Sequence, residues 1–253
     1  MGKNDRYLRQ RTLPQIGSIG QERLRGSTVL VAGCGALGSN SAEIIARAGV
    51  GRIILVDSDT LELGNLQRQG LVNEGDIGDF KAQCVAKALR RINIEIDIDF
   101  VVSRITPKNI EQLLDGVDLV LDGFDNMPSR YLLNDACVKH NVPWVFAAVA
   151  GTFGMTMPII PGKTACLRCL SPEPVPDEYV LTAGNAGLIN TIPRAIAALQ
   201  TTFALKILIR KSDVTSTLTT YDIWQNQFTS LEVERNDQCP CCAQSEYSFL
   251  LDR

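Results

Sequence analysis

Three glycines spaced G-x-G-x-x-G, Gly33, Gly35 and Gly38, interrupt the stretch VLVAGCGALGSN (29–40), and the next apolar run ends in an acid, Asp57. That order signals a nucleotide. Gly33 suits a tight turn, Gly35 lets backbone approach a phosphate, and Gly38 lets the following helix pack close to its strand. The helix start at Ala36 offers unpaired N–H groups and partial positive charge to an anion. Asp57 can accept hydrogen bonds from ribose hydroxyls. On this loop alone NAD is favoured over ATP, and a glycine-rich turn with no ligand is the plainer alternative.

Further chemistry-bearing residues follow. DSDTLELGNLQRQ holds Asp57, Asp59, Asn65, Arg68 and Gln69; GDFKAQ holds Lys81; DNMPSR holds Asp125, Asn126 and Arg130. Taken singly, Arg68 and Lys81 read as solvated charges and Asp125 as a helix N-cap. Two C-x-x-C pairs, Cys166/Cys169 and Cys239/Cys242, suit a closed tetrahedral zinc site with a structural role. A redox pair or unliganded thiols are the alternatives, and the tail sequence CPCC leaves Cys241 as a rival to Cys242. Cys34, Cys84 and Cys137 read as core thiols. The single histidine, His140, sits at a helix end, where a protonated ring would favour the helix dipole.

Jointly these motifs resemble the MoeB/ThiF/HesA family, the bacterial and archaeal relatives of the ubiquitin-activating (E1) enzymes. The resemblance rests on RYLRQ, GxGxLGS, VDxDxxxxxNLxRQ, GxxKA, LDxxDNxxxRYxLND, CxRC and CPxC, and spans nearly the whole chain. It implies an ATP-dependent adenylyltransferase. A carboxylate is a poor electrophile at neutral pH; attack on the α-phosphate of ATP converts it to an acyl-adenylate and releases pyrophosphate. Fixed cations and a metal ion offset the charge that crowds the reacting phosphate. Carried over by motif, Arg68 and Lys81 hold the phosphates with Asn65 beside them. Asp125 binds Mg²⁺ with Asn126 next to it, Asp57 binds the ribose, and Asp59 joins the nucleotide site. Arg9 reaches into the neighbouring subunit's ATP site, which implies a homodimer.

The substrate the resemblance implies is a small ubiquitin-fold sulfur carrier ending in Gly-Gly, whose tail can thread a narrow channel. FAAVAGTFGMT (146–156) is a candidate channel wall. Many family members carry a further cysteine on the crossover loop; the matching stretch LTAGNAG places Ala183 there. The reaction is then expected to stop at the acyl-adenylate and await a separate sulfur donor. Thr182 is a weak substitute, because a hydroxyl without an adjacent base is not activated. Three other readings stay open: adenylation of a peptide or tRNA-attached carboxylate, an NAD-dependent dehydrogenase, and a non-catalytic binding module. The motifs do not choose among the molybdopterin, thiamine and tRNA-thiolation routes.

These residues need a scaffold that brings them together. The 253 residues suffice for one large α/β domain, with 1–150 read as a nucleotide-binding core and 151–253 as a zinc-clasped extension facing the carrier. TVLVAG, GRIILVDSD, VDLVLDGFDN and VPWVFAAV are unbroken apolar runs, which suit a parallel sheet covered on both faces. EIDIDFVV alternates, as a half-exposed strand does. Helices are expected at SIGQERLRG with Ser18 as cap, at 36–51, at 81–93, at PKNIEQLLDG, at SRYLLNDACVKHN and over 192–210. TFGMTMPIIPG is irregular or strand-like, and LTTYDIWQNQFTSLEVER reads as two antiparallel strands. The fold class expected is α/β: a Rossmann-like, mainly parallel sheet with an antiparallel C-terminal extension.

The formal net charge of −3 gives no hint of nucleic-acid or membrane binding. The polar opening MGKNDRYLRQR is unlike a signal peptide, and Arg6 stands where a myristoylation signal has Ser or Thr. The longest apolar stretch carries Gln200 and Lys206 and is too short for a membrane span. A cytosolic enzyme is the expectation.

Overall fold

The computed structural model describes residues 5–174, 181–210 and 213–251 of the chain. Its centre is one eight-stranded sheet in the order β3-β2-β1-β4-β5-β6-β7-β8. The strands are β1 (Thr28–Ala32), β2 (Arg52–Val56), β3 (Asp97–Val101), β4 (Leu119–Asp122), β5 (Trp144–Ala150), β6 (Phe153–Ile159), β7 (Thr217–Asp222) and β8 (Gln227–Glu232). The first five run parallel, with Val31 opposite Leu55 on one side and Leu121 on the other. From β5 onward the pairing is antiparallel. The expected parallel core and antiparallel extension are both present, and TFGMTMPIIPG resolves into β6.

Alternation along β1 sends its side chains to two cores. Leu30 and Ala32 join a cluster under α5 (Ile110–Leu113) and α6 (Met127–Lys139), together with Tyr131 and Trp144. Val29 and Val31 face α3 (Ala36–Ala48), α4 (Lys81–Ile92) and α9 (Thr191–Leu208). Both faces of the sheet are therefore buried, which is why its strands read as continuous apolar runs. α4 buries Ala82, Val85, Ala86 and Leu89 at helical spacing. α3 ends at Gly49, in the left-handed conformation at φ 82° that favours glycine at a helix end.

The structure corrects two local expectations. α2 (Gly17–Arg25) has no side-chain cap, so Ser18 does not serve as one. The turn before it already takes up donors, with Ile16 and Gly17 N–H both reaching Leu13 C=O. The PKNIEQLLDG helix shrinks to the four residues of α5, because Thr106–Asn109 forms a separate turn held by Thr106 N–H to Asn109 Oδ1 at 2.8 Å. RYLRQR, for which the sequence carries no element assignment, forms the short α1 (Leu8–Arg11). The rest of the crossover region contributes α7 (Leu167–Leu170) and α8 (Ala183–Ala186). Among the described residues no helix is long and apolar enough to cross a membrane.

Candidate functional site

A cleft of about 790 Å³ opens at the carboxyl ends of β1, β2 and β4, where the strand order reverses. Open α/β sheets take ligands at this crevice. Gly33 ends β1 at φ 97°, and a Cβ there would meet Gly123 O at 2.7 Å. A Cβ on Gly38 would come within 1.9 Å of Gly33 O. These two glycines let the β1 loop, the β4 loop and α3 touch. Gly35 differs: a Cβ there would meet nothing within 4 Å, although the residue lines the cleft. The backbone at Gly35 thus leaves open space at the start of α3, which fits an anion at that helix end.

Asp57 sits at the end of β2 with both oxygens engaged, accepting Cys34 N–H at 2.6 Å and Asp59 N–H at 2.8 Å. Burial pushes its carboxyl up, and those two N–H groups with Lys81 pull it back. Lys81 opens α4 and its Nζ lies 2.9 Å from Asp59 Oδ2. That hydrogen bond holds the Asp59 carboxyl below its ordinary value. Arg68 is half-buried, donating Nη1–H to Gly64 C=O at 2.7 Å. Asn65 Oδ1 accepts Glu62 N–H at 3.2 Å and so shapes the turn that carries Arg68.

Asp125 is exposed, and Asn126 Nδ2–H donates to its Oδ1 at 3.2 Å. The α6 N-cap is Asn126, whose Oδ1 accepts Ser129 N–H at 3.0 Å. Asp125 is therefore not the helix cap, and its carboxylate faces the cleft opening with no helix end to serve. Ten of the residues assigned to the nucleotide site from the sequence line this cleft: Gly33, Gly35, Ala36, Asp57, Asp59, Asn65, Arg68, Lys81, Asp125 and Asn126. Gly38 lies behind it as a packing residue. Arg9, exposed on α1, does not line the cleft of its own chain.

Two supporting residues have no role in the sequence reading. Arg130, buried on α6, donates Nε–H to Asp122 Oδ2 at 2.9 Å and Nη2–H to Ala147 C=O at 3.0 Å and to Phe124 C=O. Asp122 in turn accepts Phe124 N–H at 2.9 Å and Ala147 N–H at 3.2 Å. The pair clamps the Asp125 loop against β5. Burial raises the Asp122 carboxyl, opposed chiefly by Arg130. Gln200 of α9 donates to Asp122 C=O at 2.8 Å and Val145 C=O at 2.9 Å, and accepts Ser41 Oγ–H at 2.6 Å. The opposite end of the cleft is apolar. Phe146, Ala148, Val149, Ala150, Phe153 and Met155 line it, all within the expected 146–156 wall.

The four cysteines Cys166, Cys169, Cys239 and Cys242 converge with all sulfurs within 4.8 Å of one another. Sγ separations are 3.6 Å for Cys166–Cys239 and 3.4 Å for Cys169–Cys242. A tetrahedron with metal–sulfur bonds of about 2.3 Å has edges of about 3.8 Å, so the donor set and its spacing fit zinc. A disulfide, at about 2.05 Å, is excluded by these distances. Cys241 is not one of the four and accepts Asn134 Nδ2–H at 3.2 Å. Cys34, Cys84 and Cys137 are buried, and burial raises their pKa, as expected of core thiols. His140 ends α6 beside Glu111, 2.8 Å away, and is not among the cleft residues. Thr182 caps α8 through Asn185 N–H at 3.4 Å. The side chain of Ala183 and residues 175–180 lie outside the described part of the chain.

The sequence profile of the ThiF family matches residues 7–241. The chain is 35% identical over 249 residues to the sulfur carrier protein ThiS adenylyltransferase of Bacillus subtilis, covering 97% of this chain and 73% of that one. It is 38% identical over 244 residues to the sulfur carrier protein adenylyltransferase of Thermus thermophilus, covering 94% and 90%. The Xenopus laevis adenylyltransferase and sulfurtransferase MOCS3 is 35% identical, with 98% of this chain and 55% of that protein covered. Among solved structures, E. coli MccB superposes with a TM-score of 0.83 at 23% identity over 96% of this chain and 75% of that one, a likeness of fold. With a profile match along most of its length and two bacterial relatives covered over more than two thirds of theirs, this chain belongs to the ThiF family of E1-like proteins.

Proposed function

We propose that this chain adenylates the C-terminal carboxylate of a small ubiquitin-fold sulfur carrier with ATP. One observation carries the reading. Two cations, Arg68 and Lys81, and the exposed acid Asp125 meet around a cleft whose far end is an apolar wall rich in small residues. The names of the Bacillus and Thermus relatives supply the substrate class. A dehydrogenase would need an acid/base beside the nicotinamide, and His140 is not in the cleft.

In this reading the triphosphate lies between Arg68 and Lys81 with its ribose on Asp57. Asp125 would hold Mg²⁺, which supplies positive charge to the phosphates. The carrier's terminal Gly-Gly enters along the Phe146–Met155 wall. A carboxylate oxygen attacks the α-phosphorus, the bond to the bridging oxygen breaks, and the electron pair leaves with pyrophosphate. Arg9 acts from the partner of a homodimer. Residues 1–150 supply the nucleotide half, and 151–253 supply the carrier-facing half. There the four cysteines would bind zinc as a structural clasp. No cysteine occurs between Cys169 and Cys239, so the acyl-adenylate passes to a separate sulfur donor rather than to an enzyme thiol on that segment. The enzyme is taken to work in the cytosol, where its eight unpaired cysteines stay reduced.

The test is ATP–pyrophosphate exchange with Gly-Gly carriers supplied one at a time. A carrier lacking its two last glycines and a short peptide carboxylate serve as controls. Exchange with an intact carrier alone is expected. Asp125→Ala should lower it by about 10²–10³-fold, with an unchanged melting temperature because that side chain supports no other element. Tight NAD(H) binding without any response to ATP would overturn the reading.

A further inference from the structure

Lys81 does not wait in the cleft as a loose cation. Its ammonium lies 2.9 Å from Asp59 Oδ2, and its side chain is 13% exposed against 65% for that of Asp59. The main chains are tied as well. Lys81 N–H donates to Asp59 C=O at 2.9 Å, Leu61 N–H to Asp79 C=O at 2.8 Å, and Gly78 N–H to Leu61 C=O at 2.9 Å. Thr60 and Phe80 pair between them as an antiparallel bridge. Residues 59–61 and 78–81 therefore form a short ribbon, and the ion pair spans that ribbon. Asp59 is anchored in turn, its N–H on Asp57 Oδ1 at 2.8 Å, while the other Asp57 oxygen takes Cys34 N–H at 2.6 Å. One line of contacts runs from the glycine loop through Asp57 and Asp59 to Lys81.

A lysine is a compact charge on a flexible stem. Exposed ion pairs hold such a charge weakly, because two long side chains must be ordered together. Here the ribbon fixes both main chains, and the lysine side chain as a whole is largely withdrawn from water. An acid beside a phosphate-binding lysine also has a cost, since it repels the triphosphate. That arrangement makes physical sense when the gain is orientation in the transition state rather than affinity in the ground state. Resting on the adenylation reading, we propose that Asp59 is the positioning residue for Lys81. It holds the ammonium where the phosphate chain will meet it and itself touches neither nucleotide nor metal.

The experiment is a double-mutant cycle on exchange kinetics with Asp59→Asn, Lys81→Ala and the double variant, and Asp59→Glu as the conservative rescue. Asp59→Asn should lower kcat by roughly 10- to 100-fold while KM for ATP stays level or falls. Asp59→Glu should recover part of the loss. In the Lys81→Ala background, Asp59→Asn should have no further effect. An undiminished loss in that background, or recovery on raising Mg²⁺, overturns the proposal, because the acid would then act on the ligand or metal directly. A second readout needs no carrier: the rate at which an amine-directed acylating reagent modifies Lys81 in nucleotide-free protein, followed by mass spectrometry. It should rise several-fold in Asp59→Asn, and an unchanged rate also overturns the proposal. Because that arm is independent of turnover, wild-type protein inactive with every carrier would sink the adenylation reading alone.

Discussion

Arg130 and Asp122 lie 2.9 Å apart with side chains 5% and 0% exposed, so neither can exchange its partner for water. Removing the cation leaves a buried carboxylate unpaired, a loss of about 3–5 kcal/mol. Arg130→Met should therefore destabilise the protein by that amount at neutral pH, measured by chemical denaturation. The pH dependence has a definite sign. Burial already raises the Asp122 carboxyl above its unfolded value of about 3.9, and losing Arg130 raises it further. A raised folded pKa favours the fold below the unfolded value, and that advantage is lost as pH rises through the folded value. The penalty of Arg130→Met should thus be full at neutral pH and shrink as pH falls toward about 4. A penalty that does not change with pH would mean that Asp122 is not its source. The motif residues around this pair are legible in the sequence because each is a polar residue or a glycine in a fixed register. Arg130 stands in the same motif, but spacing does not show which arginine turns inward. The available signal is Asp122 itself, an acid closing an otherwise apolar strand, where burial demands a partner.

The β1–α3 turn shows two glycines working for opposite reasons. Gly38→Ala drives a Cβ to 1.9 Å from backbone Gly33 O, which no side-chain movement relieves. It should destabilise the fold, read as a lowered melting temperature without nucleotide. Gly35→Ala adds a methyl to open space in the cleft. Its melting temperature should stay near wild type while ATP affinity, measured by calorimetry, falls at least tenfold, about 1.4 kcal/mol. Equal stability losses for the two would refute the division. At this scale the sequence is most informative where a strand is buried on both faces, because a short, continuous apolar run bounded by glycines and acids has little place outside a covered sheet. It is least informative for four-residue helices such as α1 and α5, whose ends depend on local turns. α9 is visible as an apolar helix, but not the task of Gln200, which bonds Asp122 C=O, Val145 C=O and Ser41 and so pins α9 to two strands and α3.

The cysteine cluster and the cleft are joined through α6. Its first turns carry Arg130, which holds the Asp125 loop, and Tyr131, whose ring stacks on Phe249 at 4.9 Å and whose hydroxyl donates to Glu173 C=O at 2.8 Å. One turn on, Asn134 accepts Leu167 N–H at 2.9 Å and donates to Cys241, while Asp135 accepts Phe249 N–H at 3.0 Å. The clasp therefore bears directly on α6, α7 and the C-terminal tail, while the opposite face of β1, β2 and β3, with Val29, Val31, Ile53, Leu55 and Ile98, packs against α3 and α4 in a separate cluster. Cys169→Ser should release the bound zinc, measured by elemental analysis, and lower the melting temperature by at least about 5 °C. Cys241→Ser should keep the metal, since that sulfur is outside the four-cysteine cluster and bonds Asn134. Hydrogen exchange then separates local from global loosening. In the Cys169→Ser protein, protection should fall in 164–171, in α6 and in the tail after 236, while the β1 and β2 amides stay protected. Uniform loss across the sheet would mean that the clasp holds the whole fold. Confined loss would instead make it a brace for the wall along which the carrier tail is proposed to enter.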